Sequence, residues 1–246
     1  MSMVRNLTKA DRRVPGERRN LLTEASGAAA HRSVIRNSIG VGVAVGAYGV
    51  AFGAASVAAG LSVLQTCLLS LLAFTGGTQF AVVGVVAGGG GIGAALGSGL
   101  LLGSRNSLYA MRLAPLLRVR GVRRVLAALG TIDESTAMAI AQPEEELARK
   151  AFWWTFGVVF AGWNIATLVG AAGAGAIGNP QSFGLDAVIP AAFLALLAPR
   201  LRDGRVERRV AIGAAVIAAV LIPITPAGVP VLAATGALLL AGTVRE

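Results

Sequence analysis

Leu71–Gly89 reads LLAFTGGTQFAVVGVVAGG, without one charged side chain. Its length suits a membrane span, at ~20 apolar residues per crossing. Its interior does not suit a simple one. Thr75-Gly76-Gly77-Thr78-Gln79 places two adjacent glycines and three polar side chains where lipid favours an unbroken helix. Backbone groups freed at that depth are tolerated only where protein buries them or a cavity takes them up. One reading is that residues 62–87 form two half-helices that meet at this run and return to the side they entered; the other is that the third or fourth apolar segment is the broken one.

The flanks repeat the apolar theme. Segments lie at about 37–60, 62–87, 91–117, 124–142, 151–173, 185–199, 209–224 and 228–244. Charged residues make up 14% of the chain and the mean hydropathy is +0.70, whereas soluble domains carry about 25% charge. The expected fold is all-α: a polytopic membrane helix bundle with about 7–8 apolar segments, including re-entrant or broken helices. Residues 1–32 read as a disordered basic cytoplasmic tail and 33–246 as a single transmembrane transporter domain. Glycine occupies 33 of 246 positions without a Gly-X-Y period, which fits close packing of membrane helices rather than collagen.

Net charge is +10, from 22 basic and 12 acidic residues. The basic residues cluster in the tail, at 118–124 and at 200–209, between apolar runs. No nucleic-acid-binding pattern accompanies them. The positive-inside tendency places all three clusters in the cytoplasm, beside anionic lipid. Glu144, Glu145 and Glu146 would then face outward. Simple alternation conflicts with this, because three full spans after a cytoplasmic tail put Arg118–Arg124 outside. Three segments between Arg124 and Arg200 raise the same problem. At least one segment in each half is therefore expected to be re-entrant or discontinuous, as in transporters with broken helices.

The polar exceptions are the candidate site. Thr78 and Gln79 offer a hydroxyl, a carbonyl and an amide; they either touch a substrate or bond helix to helix. Arg105, with Asn106 beside it, follows a strongly apolar run. A buried arginine needs a partner, such as a substrate carboxylate or Asp133; near the headgroups it merely snorkels. Asp133 and Glu134 stand in LGTIDESTAMAI, as a proton relay or ion pair at depth, or as solvated acids at a helix end. Asn164, next to Trp163, either lines the path or packs. Trp153 and Trp154 follow Arg149 and Lys150 as an aromatic belt. Asp186 follows Asn179-Pro180 as a helix-start or binding residue, and Pro190 interrupts the sixth segment.

Other chemistry has no residues to carry it. The sequence lacks a GxxxxGK[ST] loop and any His/Cys metal cluster, and its single histidine, His31, lies in the tail. No metal, cofactor or enzyme activity is expected. Cys67 has no cysteine to pair with and reads as a small hydrophobic helix residue.

Four stretches together resemble the AzlC family of branched-chain amino acid permeases: GVAFGAASVAAGLS (Gly49–Ser62) with LLAFTGGTQFAVVGVVAGG (Leu71–Gly89), RNSLYAMRLAP (Arg105–Pro115), TIDESTAMA (Thr131–Ala139), and Phe152–Pro199 with its GNPQSFGLDAVIPAAFLALLAP. The resemblance implies a multi-pass bacterial inner-membrane protein, whose N-terminus the positive-inside tendency places in the cytoplasm. It implies secondary export of valine, leucine and isoleucine, with a small hydrophobic AzlD-like membrane subunit as partner. It maps the family's polar positions onto Thr78, Gln79, Arg105, Asp133 and Glu134. The histidine that follows the family's arginine corresponds to Asn106, which removes a titratable group. A non-transporting scaffold and a channel are the rival readings.

Overall fold

The computed structural model describes residues 15–177, 191, 194, 197–198, 201–202, 204–226 and 228–243. Asn179, Pro180, Asp186 and Pro190, singled out above, lie outside the described residues, as do residues 1–14. The described elements are helical throughout, so the fold is an all-α bundle.

Helix α1 (Pro15–Ala58) has 44 residues, about 66 Å at 1.5 Å per residue. This corrects the expected tail: residues 15–32 continue the helix instead of being disordered. Helix α8 (Glu145–Ile177) runs alongside α1 in the same direction. Val34 packs with Leu147 and Ala151. Ser38 Oγ and Thr155 Oγ1 share a buried 3.0 Å hydrogen bond. A Cβ on Gly49 would sit 2.6 Å from Trp163 O, and one on Gly53 would collide with Thr167 O. Only glycine lets the two backbones come this close. Residue numbers rise together along both helices, which makes them parallel.

Basic residues of both helices come together where α8 starts, beside His31 of α1. His31 Nδ1 lies 2.8 Å from Lys150 Nζ and His31 Nε2 lies 3.9 Å from Glu146. The acidic run Glu144–Glu146 therefore shares an end with the base of α1. It does not face the opposite side, as charge counting suggested.

Between the two long helices lie two hairpins and one broken rod. Ser62 and Gln65 cap α2 (Val63–Leu72) reciprocally, as a capping box does. It descends beside α8 until Phe74 meets Phe160 edge-on at 4.9 Å. The chain breaks over Ala73–Thr75, and α3 (Gly76–Ala87) turns back. Gln79 Nε2 donates to Leu69 O and Ser70 O, at 3.3 and 3.2 Å, tying the returning arm to the descending one. The arms are about 15 and 18 Å long, half of the ~30 Å hydrocarbon core. Gly60 and Gly89 turn the chain at the hairpin's open end with φ of +94° and +77°, a region that favours glycine.

Helix α4 (Ile92–Gly103) packs antiparallel to α3, with Gly99 against Val82 and Gly103 against Thr78. Past Ser104 it continues as α5 (Arg105–Leu117) to the basic end. There Arg149 Nε donates to Leu116 O at 2.9 Å and Arg118 lies 3.6 Å from Glu145. The second hairpin starts at that end. Helices α6 (Val122–Leu129) and α7 (Asp133–Ile140) are 8 residues each, about 12 Å. Ala127 on the way in and Ala139 on the way out both pack with Leu113 and Phe152. Ile132, at the break, reaches the central cluster of Phe52, Phe74, Phe80, Phe156, Val159 and Trp163.

Helix α9 (Arg205–Leu221) and α10 (Val229–Ala234) with the 3-10 segment Thr235–Thr243 fold back on one another. Gly228 seats this pair against Val85 and Ala94.

The surface is inverted relative to a soluble bundle. Leu72, Ile92, Leu100 and Ile165 are 64–80% exposed, while Ser56, Thr66, Ser70, Gln79, Thr155 and Thr167 are fully buried. Exposed apolar faces of this extent mark a lipid or partner surface. Two stretches, Gly27–Ala58 and Glu145–Ala174, are long and apolar enough to cross a membrane alone. Among the described residues two of the apolar segments are half-length hairpins and one is a jointed rod, so not every segment is a single long spanning helix.

Candidate functional site

The hairpins enter from opposite ends of the bundle and their breaks line one cavity. A cavity of about 380 Å³ lies between them, within the 300–1,000 Å³ usual for small-molecule sites. Thr75, Gly76 and Gly77 line it from the first hairpin; Ile132, Asp133 and Glu134 line it from the second. In both cases the wall is the extended cap and first helical turn. First-turn amides have no partner inside their own helix, and the Thr75 side chain makes no capping bond. Two positive half-helix ends therefore face one space.

Arg105 comes into this space from the joint between α4 and α5. Its Nη2 lies 2.7 Å from Asp133 Oδ2. Tyr109, one turn along the same face of α5, donates to Asp133 Oδ1 at 2.7 Å. The carboxylate is thus held at both oxygens. Arg105 also stands over Gly77, where a Cβ would come within 3.2 Å of its Nη2. Arg105 Nε and Trp163 Nε1 are buried and have no acceptor among the described residues. Glu134 lines the cavity beside Asp133, and no described side chain forms a salt bridge or hydrogen bond with it.

The rest of the wall is apolar and aromatic. Phe74, Phe80, Val159, Trp163 and Leu197 face the cavity. Trp163 stacks on Phe52 at 5.8 Å and meets Phe80 edge-on at 6.3 Å.

Of the residues singled out in the sequence, Arg105, Asp133 and Glu134 converge here. Thr78, Gln79, Asn106 and Asn164 sit behind the lining. Thr78 contacts Thr75, with 3.4 Å between hydroxyls. Gln79 is fully buried and braces the hairpin. Asn164 Oδ1 accepts from Ser70 at 2.7 Å, while its Nδ2 donates to Phe160 O at 2.8 Å. Asn106 Oδ1 is buried and unpaired among the described residues. Sequence reading passed over Tyr109 and Tyr48. Tyr109 was open to detection, since residues four apart share a helix face and Arg105 had been noted. Tyr48 carried no local signal.

Residues 40–177 match a protein-family model described as AzlC protein. The chain belongs to the AzlC family. The matched stretch runs from within α1 to the end of α8, and so takes in both hairpins and the parallel pair. No curated protein and no solved structure matches the chain. AzlC membership and the apolar helices identify a helical membrane protein with a transport role, not an enzyme.

Proposed function

We propose that this AzlC protein is a secondary transporter that exports branched-chain amino acids across the bacterial inner membrane. The observation that carries the reading is the cavity between the two hairpin tips, which has a cationic, an anionic and an apolar part. A free amino acid has the same three parts. Its carboxylate fits Arg105, whose Nε is buried without an acceptor among the described residues, and the first turn of α3 at Gly76–Gly77. Its ammonium fits the acids of α7. Its branched side chain fits the wall of Phe74, Phe80 and Val159. Thr78, Gln79 and Asn164 hold the hairpin tips in place behind that contact. Asp133 and Glu134 are also the groups available for proton coupling.

The basic end, with Arg118–Arg124, faces the cytoplasm and its anionic lipid. The chain from α1 to α8 then crosses three times, by α1, by α4–α5 and by α8, with a re-entrant hairpin dipping in from each side. This arrangement reconciles the charge pattern with the apolar segments. Residues 33–246 act as one transporter domain. A small AzlD-like membrane subunit is the partner, and it covers part of the exposed apolar face. A scaffold that served only packing would have no use for a mid-depth cavity with a charged pair.

The test is flux. Proteoliposomes containing the full chain and its co-purifying small subunit should carry labelled leucine or valine saturably, and unlabelled isoleucine should compete. Glucose should not. Absence of saturable flux for all three amino acids rejects the reading.

A further inference from the structure

The two adjacent acids on α7 are placed very differently. Asp133 is engaged at both oxygens, by Arg105 at 2.7 Å and by Tyr109 at 2.7 Å. Both carboxylate oxygens of Asp133 are therefore taken up by side chains of α5, one of them in a charge-assisted contact. Glu134 lines the same cavity but has no described side chain as salt-bridge or hydrogen-bond partner. Residues next to each other on a helix diverge by about 100°, so Glu134 lies off the Arg105–Tyr109 face. The other ionisable groups at this cavity are Arg105 and Tyr109 on α5, Asp133 on α7 and Tyr48 on α1. Arg105 forms its ion pair with Asp133 and acts on Glu134 through charge alone. Tyr109 is likewise engaged with Asp133. Glu134 is the group left to exchange partners.

We propose that Glu134 takes either the ammonium of the cargo or a proton, never both, and that Asp133 is a positioning residue that holds Arg105 over Gly77. This rests on the transport reading above. One carboxylate with two competing cationic partners gives exchange without a further device. On the cytoplasmic side the arriving ammonium displaces the Glu134 proton into cytoplasmic water. On the outer side the amino acid leaves and a proton from outside water returns to the carboxylate. Each cycle moves one zwitterion outward and one proton inward. An empty Glu134 carboxylate carries an uncompensated charge through the centre of the bundle, which disfavours reorientation without cargo or proton. The inward proton gradient therefore drives export.

The experiment uses the full chain in liposomes loaded with labelled leucine, with and without an acid outer buffer. Efflux from wild type should rise with the gradient. In Glu134→Gln the ratio of the two fluxes should fall to one, and in Glu134→Asp it should stay above one with a displaced pH profile. In Asp133→Asn and Tyr109→Phe the KM for leucine should rise while the ratio is kept. The inference is overturned if Glu134→Gln responds to the gradient as wild type does, or if Asp133→Asn is the variant that loses the response. If Glu134→Gln does not elute as folded protein, Glu134→Asp decides, and an unchanged pH profile rejects the assignment. Wild-type flux that ignores the gradient rejects this inference and leaves the transport reading intact. No wild-type flux at all rejects the transport reading itself.

Discussion

Arg105 and Asp133 are 28 positions apart in sequence and 2.7 Å apart in space. Each is about one-third exposed to the cavity, so water already offsets part of the attraction and the pair is not a fully buried one. Its value lies in geometry: it sets the guanidinium over Gly77. Arg105→Ala and Asp133→Asn should each weaken leucine binding, and the double variant should cost less than the sum of the two. The expected coupling is ~0.5–3 kcal/mol from a double-mutant cycle on KM or Kd. Strict additivity would remove the pair from the binding machinery. Ser38 and Thr155 make a simpler case. Their buried 3.0 Å hydrogen bond joins α1 to α8, and Ser38→Ala leaves the Thr155 hydroxyl without its partner. The loss should be about 1–3 kcal/mol, read as a lower unfolding midpoint in detergent with leucine affinity unchanged.

At the level of elements, the hairpins depend on breaks that a continuous helix would erase. Gly76 and Gly77 open the first one, and the positions leave little room. A Cβ at Gly76 would come within 3.1 Å of Trp163, and one at Gly77 within 3.2 Å of Arg105. Gly76→Ala with Gly77→Ala adds helix propensity of roughly 1 kcal/mol per site while crowding both cavity walls. The double variant should remain folded by circular dichroism and lose leucine binding. Unaltered binding would show that the first turn of α3 does not meet the cargo. The parallel contact of α1 and α8 is the other element-level dependence. Gly53→Ala overpacks a backbone contact with Thr167, at an expected cost of about 1–3 kcal/mol. A melting curve in mild detergent measures it, and an unshifted midpoint would mean that the helices part without penalty.

For the whole molecule, the consequence is topological. The proposed arrangement has both ends of the first hairpin on one side of the membrane and both ends of the second on the other. With Cys67→Ser as background, single cysteines at Leu61 and Gly90 should react with a membrane-impermeant maleimide from the same side. Cysteines at Arg120 and Gln142 should react from the opposite, cytoplasmic side. Labelling of Leu61→Cys and Gly90→Cys from different sides would mean that 62–87 crosses fully. The assembly is expected to include a small second subunit. Co-purification in mild detergent checks this, and a fully active chain without a second polypeptide would count against it.

The sequence by itself determined the helical class, the lipid setting and the existence of breaks. Each of these follows from local chemistry: runs of apolar residues, few charges, and Gly-Gly beside Thr and Gln at membrane depth. It also picked out Arg105, Asp133 and Glu134, because ionisable groups inside apolar segments stand out against their neighbours. It did not fix the length of α1, since the basic residues at 15–32 read equally well as a solvated tail or as a helix extended beyond the membrane. Thr78, Gln79 and Asn164 stood out for their polarity, but polarity does not say whether a side chain faces a cavity or the next helix. Their hydrogen bonds to Thr75, to Leu69 O and Ser70 O, and to Ser70 are set by how the hairpin folds against α8. Only the tertiary structure placed α1 and α8 in parallel and brought Glu146 back to His31. Charge counting follows the order of segments along the chain, whereas the end at which a loop lies depends on how many of the preceding segments turn back. Tertiary packing also brought Thr75–Gly77 and Ile132–Glu134 to one cavity, because two half-helices starting from opposite ends meet only where the long helices hold them.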